Sequence, residues 1–317
     1  MRYVLTGGSG QIGTILARAL HAAGEDVVVV SRSLRTAPWR IAGWDGFSLG
    51  KWTRELDGAD VVINLAGRSV NCRYTERNMQ DIMASRVNTT RLVGEAIARA
   101  QPPPRVWLQA STATIYAHRF DAPNDEHTGV IGGAEPDVPA YWKFSIDVAT
   151  AWEQALADAY APRTRRVAMR AAVVMSPDKG GALDLLLRLV RFGLGGRSAS
   201  GRQYVSWVHD HDFVNAVRWL VVRDDLNGAV NITSPGPLPN DDFMRILRNA
   251  AGVRIGLPAT TPMLKLGAVV MRSDVELMLK SRRVVPARLL DSGFQFEFPT
   301  WEDAARDLVG RWRSARR

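Results

Sequence analysis

Three glycines near the start of the chain stand at a spacing that suits phosphate binding. Gly7, Gly10 and Gly13 come directly after a short apolar run and open a helical pattern. Without side chains, the backbone can approach a pyrophosphate closely, and the first turn of the helix offers free N–H groups and partial positive charge. The pattern predicts a dinucleotide site, with an ordinary tight turn as the alternative. The residues predicted to contact the ligand here are Gly7, Gly10, Gln11, Ile12 and Gly13.

The end of the next apolar run indicates which dinucleotide would bind. A carboxylate there would repel a 2′-phosphate, whereas this chain has Ser31, Arg32 and Ser33. A guanidinium and hydroxyl groups bind phosphate, so Ser31 and Arg32 predict NADP(H) as the cofactor. Arg35 and Arg40 are further candidates for the phosphate. The alternative for Arg32 is a solvated arginine at a strand end.

One histidine-rich segment has residue types that bind metals. His209 and His211 alternate with Asp210 and Asp212, and imidazole and carboxylate are both metal ligands. The segment leads into a predicted helix, Phe213–Val222, where either aspartate suits the N-cap position. Because no second cluster of histidine or cysteine supplies further ligands, capping is the favoured interpretation and no metal site is predicted.

The elements that must position these residues alternate between apolar runs and helical patterns. Such alternation is typical of a parallel sheet with crossover helices. Only the short stretch 32–41 separates the second strand from the next extended segment, which is too short for a crossover helix. The predicted strands are Tyr3–Thr6, Asp26–Ser31, Asp60–Asn64, Val106–Ala110 and Val167–Val174, and the predicted helices are Ile12–Ala23, Glu76–Ala100 and Ser145–Ala159.

The pattern changes in the second half of the chain. An apolar helix is predicted over Leu183–Phe192, followed by a glycine-rich stretch at 193–196 and a mixture of short strands and helices. We therefore expect two domains, a dinucleotide-binding domain over residues 1–175 and a smaller substrate-binding lobe over residues 176–317. Some later segments are expected to return to the main sheet.

Composition excludes several other classes of protein. The chain has 317 residues, 46% hydrophobic and 23% charged, which is close to ordinary globular usage. Its single cysteine, Cys72, allows no internal disulfide. No apolar run approaches the roughly 20 residues needed to cross a bilayer, and the first residues lack a basic leader, so a cytoplasmic protein without a membrane partner is expected. The net charge of +9 comes from dispersed arginines, so no nucleic-acid partner is expected.

Several segments together resemble the extended short-chain dehydrogenase/reductases of the NAD-dependent epimerase/dehydratase type. The shared ones are the glycine-rich turn, residues 64–67 after the predicted strand Asp60–Asn64, and residues 111–116 after the strand that follows. Others are similar to the atypical branch called epimerase family protein, which carries a C-terminal domain of unknown function. They cover residues 73–75, 85–88, 193–196, 200–204, 207–209, 231–235 and 293–296.

The resemblance implies an α/β fold, with a Rossmann-type doubly wound parallel sheet and a smaller C-terminal substrate lobe. It also implies roles for particular residues. Thr112 would hydrogen-bond a substrate carbonyl, and the predicted helices Glu76–Ala100 and Ser145–Ala159 would form a dimer face, so a homodimer is a hypothesis. Leu65, Ala66 and Gly67 would lie against the adenosine side of the cofactor, Ala110, Ser111, Ala172 and Val173 near the nicotinamide, and Arg202, Tyr204, Trp207 and His209 in the substrate cleft.

The chain departs from the family at the catalytic pair. Typical members have a tyrosine followed four residues later by a lysine, whose charge lowers the pKa of the phenol. Here Tyr141 is followed at that spacing by Ser145, and Lys143 stands only two residues away. Tyr141 is therefore a candidate proton donor only if a loop conformation joins it to Lys143. The alternative is a hydrophobic packing cluster of Tyr141, Trp142 and Phe144.

These observations predict an NADP(H)-dependent oxidoreductase of atypical type. Hydride transfer needs only the cofactor and a carbonyl held in line, so a carbonyl of a small or polycyclic organic substrate could be reduced without a Tyr-Lys pair. One alternative is a nucleotide-sugar epimerase or dehydratase. Another is a non-catalytic NADP(H)-binding sensor or scaffold.

Overall fold

A central parallel sheet organises the molecule. The computed structural model describes residues 1–136, 138–264 and 276–316, and within these ranges seven strands form one sheet in which all neighbouring pairs are parallel. Numbered in chain order and given in their order across the sheet, they are β10 (Gly228–Ile232), β6 (Arg165–Ala171), β5 (Val106–Thr112), β4 (Val61–Asn64), β1 (Arg2–Thr6), β2 (Asp26–Ser31) and β3 (Arg40–Gly43). The predicted α/β fold with a doubly wound parallel sheet is confirmed.

Helices cover both faces of this sheet. The helices α1 (Gln11–Ala22) and α5 (Asp210–Val222) pack on one face, and α2 (Glu76–Arg99) packs on the other together with the end of α3 (Lys143–Ala157). Alternate residues of each strand enter different cores: in β1, Leu5 joins the first and Val4 the second. Because both faces are buried, the strands read as continuous apolar runs instead of alternating ones.

The connection between β2 and β3 has no helix, as the short spacing predicts. Residues 32–39 form a loop, and a short 3-10 helix, Lys51–Leu56, follows β3 before the chain enters β4. β2 and β4 lie on opposite sides of β1. The connection from β1 to β2 and the connection from β4 to β5 therefore run toward opposite edges of the sheet. In sheets of this kind, ligands bind in the crevice at the carboxyl ends of the strands where the order reverses.

The later part of the chain builds a second core and also returns to the sheet. The helices α4 (Ala182–Arg191), α6 (Asn240–Ala250) and α9 (Trp301–Ser314) pack together around Trp207 and Phe243. β10 adds to the edge of the central sheet beside β6. The short elements that complete this part are β7 (Val173–Met175), paired with β9 (Trp207–His209), β8 (Tyr204–Val205), paired with β11 (Leu238–Pro239), α7 (Glu276–Leu279) and α8 (Ala287–Asp291).

One predicted strand proves to be two. The run Val167–Val174 divides at Ala172, whose N–H donates to the carbonyl oxygen of Ile232 at 3.0 Å. β6 therefore ends in the central sheet, and β7 pairs with β9 instead. Within the described ranges, no helix combines the length and the apolar character needed to cross a membrane.

Candidate functional site

The glycine-rich turn joins β1 to α1 at the carboxyl edge of the sheet. Gly7 has φ of +72°, and a Cβ there would lie 2.5 Å from the Cα of Ala66. A Cβ at Gly13 would collide with the backbone of Gly8. At Gly10, by contrast, the atom that such a Cβ meets among the described residues is the carbonyl oxygen of Gly7, at 3.8 Å. Gly7 and Gly13 are therefore required by packing, and Gly10 leaves open space at the end of the helix.

The N-terminus of α1 faces this space. Gly10 is its N-cap, and among the described residues no side chain caps the helix. The first turn carries no acidic residue. The amide side chain of Gln11 is exposed and lies against Gly181, at the start of α4, while Ile12 is half-buried. Such a helix end supplies N–H donors and partial positive charge to an anion.

The end of β2 lies beside the same turn. The buried hydroxyl of Ser31 donates to the hydroxyl of Ser9 at 2.8 Å and accepts from the backbone N–H of Ser33 at 3.1 Å. Arg32 is exposed and, in the part of the chain that the structure describes, has no carboxylate partner. Arg40 pairs with Glu55, so of these two arginines only Arg32 has a guanidinium free for a phosphate.

A buried polar ladder links three strand ends. Thr6 donates to Asn64 at 2.8 Å, and Asn64 donates in turn to Gln109 at 2.9 Å. The side-chain oxygen of Asn64 also accepts from the N–H of Ala66 at 3.1 Å, and the N–H of Leu65 bonds the carbonyl of Thr6 at 2.8 Å. The ladder holds the segment Leu65, Ala66 and Gly67 against the glycine turn, where Gly67 is exposed.

A second, partly buried network lies at the ends of β5 and β6. Ser111 donates to Glu153 of α3 at 2.5 Å, and Arg170 forms a two-pronged ion pair with the same carboxylate at 2.8 and 2.7 Å. Burial acts to lower the pKa of Arg170, but the hydrogen bonds and negative charge of the Glu153 carboxylate raise that pKa above its ordinary value. Arg170 also donates to the phenol of Tyr116 at 2.9 Å, and Tyr116 donates to Asn231 at 3.0 Å. This network orders the strand ends.

The predicted nicotinamide residues surround this edge of the sheet. Ala110 and Ala172 are half-buried, Val173 is exposed, and Ser111 is buried with its hydroxyl committed to Glu153. Thr112 is half-buried, and its hydroxyl oxygen accepts from the N–H of Thr114 at 3.1 Å, which caps a short 3-10 helix. The hydroxyl proton of Thr112 can still be donated to a ligand.

Tyr141 does not acquire a lysine partner. It lies in a 3-10 helix, Ala140–Trp142, at the entrance of α3, with 48% of the residue exposed and its ring edge-on to Trp142. Lys143 instead pairs with Asp147 on the next turn. A loop conformation that joins Tyr141 to Lys143 is therefore absent from this described segment, and the aromatic packing interpretation agrees better with the geometry.

Two of the predicted cleft residues are buried beneath the site. Trp207 is fully buried against Trp301, with ring centroids 4.8 Å apart. His209 is fully buried, stacks on Phe298 at 3.8 Å and bonds Asp307 at 2.9 Å. The prediction that both line the substrate cleft is wrong for this conformation, because the second core encloses them. Arg202 is exposed, and Tyr204 is half-buried with the guanidinium of Arg283 4.6 Å from its ring centroid.

The histidine-rich segment caps and anchors α5. The N-cap is His209, whose Nδ1 accepts from the N–H of His211 at 3.1 Å, so the predicted aspartate cap is wrong. Asp210 instead binds Arg311, and Asp212 accepts the N–H groups of residues 297 and 298. Each acidic side chain thus has a structural partner, and no metal-binding group occurs among the described residues.

Sequence reasoning missed a cationic cluster that the C-terminal part brings to the turn after β5. Lys280 is buried, and its Nζ donates to the carbonyl oxygen of Thr114 at 3.0 Å. Arg282 donates from Nε to the hydroxyl of Thr114, also at 3.0 Å. Burial, followed by the charge of Arg282, lowers the pKa of Lys280 to about 8. Ser145, at the position of the family's lysine, donates to Glu276 at 2.6 Å.

Two depressions lie near α3. One, of about 280 Å³, is lined by Glu135, Trp142, Ile146 and Lys280 among others and adjoins the cationic cluster. The other, of about 700 Å³, runs along α2 and α3 beside Met79, and lies outside the glycine turn. The second depression is lined by residues of α2 and α3, the two helices that would form the dimer face according to the family resemblance. The homodimer itself stays a prediction.

The sheet order, the glycine-rich turn and the uncapped helix end define a dinucleotide-binding protein of the Rossmann class. Comparison with known families agrees: residues 3–233 match the NAD dependent epimerase/dehydratase family, and residues 259–308 match a domain of unknown function, DUF1731. The chain belongs to the NAD dependent epimerase/dehydratase family.

Relatives extend the comparison over the whole chain. The epimerase family protein SDR39U1 of Homo sapiens is 31% identical over 98% of this chain and 100% of its own length. A crystal structure of human SDR39U1 with NADPH superposes with a TM-score of 0.85 at 29% identity, covering 98% of this chain and 99% of that one. A nucleoside-diphosphate sugar epimerase of Corynebacterium glutamicum has a TM-score of 0.75 at 26% identity, over 98% of this chain and 58% of that one.

Proposed function

We propose that this protein is an NADPH-dependent oxidoreductase that reduces a carbonyl group on a small or polycyclic organic molecule. The observation that carries the proposal is the open space at Gly10, at the N-terminus of α1, together with the end of β2 beside the same turn, where the exposed Arg32 has no carboxylate partner among the described residues. Both groups attract phosphate, and a dinucleotide with a 2′-phosphate presents one to each. The NADPH bound to human SDR39U1 supports the same cofactor here.

The residues of the site fit such a cofactor. A Cβ at Gly10 would fill the space that a pyrophosphate needs. Ser31 and Arg32, at the end of β2 beside the same turn, would hold the phosphate of the adenosine ribose. Leu65, Ala66 and Gly67 would cover the adenosine side of the bound cofactor, which supplies hydride from its nicotinamide ring.

Thr112 is the residue best placed to orient a carbonyl. Its oxygen accepts from the N–H of Thr114, which leaves its one hydroxyl proton to be donated to a carbonyl oxygen. The cavity beside Lys280 adjoins the same turn and offers room for a small substrate. The buried network of Ser111, Glu153 and Arg170 keeps the neighbouring strand ends in place.

Stopped-flow oxidation of bound NADPH across a panel of aldehydes and ketones tests the proposal. We expect at least one carbonyl to oxidise the cofactor well above the solvent background, with one alcohol formed per NADPH consumed. A non-catalytic sensor would bind NADPH and oxidise none. A nucleotide-sugar epimerase, as suggested by the Corynebacterium relative, would interconvert nucleoside-diphosphate sugars with no net consumption of the cofactor.

A further inference from the structure

Lys280 presents a buried ammonium group to the smaller of the two depressions near α3, which we call the Lys280 cavity. The residue is 3% exposed, and its Nζ donates to the carbonyl oxygen of Thr114 at 3.0 Å, while the carboxylate of Glu276 lies 3.9 Å away. An ammonium group has three N–H donors. Since Thr114 is the one hydrogen-bond acceptor of Nζ in the part of the chain that the structure describes, donors remain for a ligand in the cavity.

The acidic residue that lines the Lys280 cavity is already bound by the backbone. Glu135 accepts the N–H of His118 at 2.7 Å and that of Gly133 at 2.5 Å, one through each carboxylate oxygen. Burial acts to raise the pKa of Glu135, but these hydrogen bonds lower it below its ordinary value. The backbone, instead of Lys280, therefore holds this carboxylate.

Trp142, which also lines the Lys280 cavity, carries an unpaired donor. Its indole Nε1 is buried and has no hydrogen-bond partner among the described residues. Its ring meets His118 edge-on, with centroids 5.2 Å apart. Buried donors without a partner are rare in native proteins, so this one indicates an acceptor that the described part of the chain does not supply.

The remaining wall of the Lys280 cavity is mostly apolar. The volume of about 280 Å³ lies just below the range of about 300–1,000 Å³ that is usual for ligand sites, so one ring or two fused rings suit it. At the rim, Lys143 pairs with Asp147, which offsets its charge. Lys280 is thus the cation left to bind a ligand, and a buried ammonium group is stabilised most by a charged acceptor. The apolar residues are Ala134, Val138, Pro139, Trp142 and Ile146.

We propose that the Lys280 cavity binds a carboxylate-bearing ring, so that the substrate is a carbonyl compound that also carries a carboxylate. This inference rests on the proposed carbonyl reduction and names its substrate class. A carboxylate oxygen accepts from Nζ of Lys280, and the ring packs against Trp142 and Ile146. Thr114 binds Lys280 through its carbonyl oxygen and the hydroxyl of Thr112 through its N–H, so one turn links the cavity to the residue proposed to orient the carbonyl.

Two probes of one shape test the cavity without any reaction. Calorimetry at pH 7 on the unaltered protein with saturating NADPH measures the affinities for 2-naphthoate and for its neutral counterpart, 2-naphthamide. At this pH Lys280 is charged, because burial lowers its pKa only to about 8. We expect 2-naphthoate to bind at least about tenfold more tightly, since a charged acceptor bonds an ammonium group more strongly than a neutral one. Equal affinities, or uptake of neither probe, would overturn the proposal.

A lysine variant locates the bound carboxylate. Lys280→Met removes the ammonium group and keeps an unbranched side chain, so the affinity for 2-naphthoate should fall at least about tenfold while that for 2-naphthamide is retained. Lys51→Met is the matched control, because Lys51 is exposed in the 3-10 helix Lys51–Leu56, and it should bind both probes as the unaltered protein does. Unchanged affinity for 2-naphthoate in Lys280→Met would contradict the assignment. The two-probe comparison in the unaltered protein decides the matter if Lys280→Met fails to fold.

Kinetics with 4-formylbenzoate and its methyl ester test the substrate class. We expect kcat/KM for the acid to exceed that for the ester at least about tenfold, although the ester is the more electrophilic aldehyde, and Lys280→Met to remove this preference. Equal values for the two in the unaltered protein would overturn the proposal and leave carbonyl reduction standing. If no carbonyl of the panel is reduced, the proposed function fails, and the probe affinities still decide whether the Lys280 cavity binds a carboxylate.

Discussion

Replacing Gly10 by alanine isolates ligand contact from folding. Of the described atoms, a methyl group at this position meets the Gly7 carbonyl oxygen at 3.8 Å, which is an ordinary contact distance. The backbone has φ of −74°, which any residue adopts. Alanine is a poorer N-cap than glycine, which destabilises the folded state by up to about 1 kcal/mol. Alanine also makes the unfolded chain less flexible, which stabilises the folded state by a similar amount. The unfolding free energy should therefore change by less than about 1 kcal/mol.

The same methyl group would occupy the space against the end of α1 where the pyrophosphate must approach. Loss of that close contact should weaken NADPH binding at least about tenfold, equivalent to about 1.4 kcal/mol. Isothermal titration calorimetry measures the affinity, and urea denaturation without cofactor measures the stability.

Gly7→Ala is the matched contrast. Its positive φ costs about 1–2 kcal/mol, and the clash with Ala66 adds about 1–3 kcal/mol, so this variant should lose stability as well as binding. NADPH affinity in Gly10→Ala equal to that of the unaltered protein would refute the assignment of the turn as the pyrophosphate site.

Two further outcomes follow from single side chains. Thr112→Val replaces the hydroxyl by a methyl group and leaves the glycine turn and Arg32 unaltered, so it should slow carbonyl reduction about 10- to 100-fold in single-turnover assays with NADPH affinity unchanged. Full activity would take Thr112 out of the mechanism. Lys280 has a pKa of about 8 in the folded protein, below its ordinary value of 10.5. Between these two pH values the folded state binds fewer protons than the unfolded state. The free energy of unfolding therefore increases as the pH rises from about 8 to 10.5. Lys280→Met lacks this gain, so between pH 7.5 and 9.5 the unfolding free energy of the unaltered protein should rise by about 2 kcal/mol relative to the variant. Parallel pH dependence of the two in urea denaturation would show that folding does not lower the pKa of Lys280.

The sheet and the cofactor turn could be predicted because their signals are local. A buried parallel strand needs consecutive apolar residues, and the contacts that require Gly7 and Gly13 are made by that same turn and by the segment after β4. Arg32 could also be assigned, because its position at a strand end follows directly from the length of β2.

Other features depend on contacts between distant parts of the chain. Lys280 and Arg282 reach Thr114 from more than 160 residues away, and no periodicity in the sequence indicates that approach. Trp207 and His209 have residue types suited to a cleft, but the packing of α9 and Phe298 encloses them. The sequence signal for the cationic cluster is the basic pair Arg282 and Arg283, which lies within the residues that match DUF1731.

The selectivity between the two nicotinamide dinucleotides tests the central claim most directly. Calorimetric titration of the unaltered protein and of Arg32→Ala with NADPH and NADH separates the 2′-phosphate from the rest of the cofactor. Charged hydrogen bonds contribute about 1.5–3 kcal/mol each, so Arg32→Ala should lose about 10- to 100-fold in NADPH affinity and keep its NADH affinity. The account would be contradicted if the unaltered protein bound NADH as tightly as NADPH, or if it took up neither.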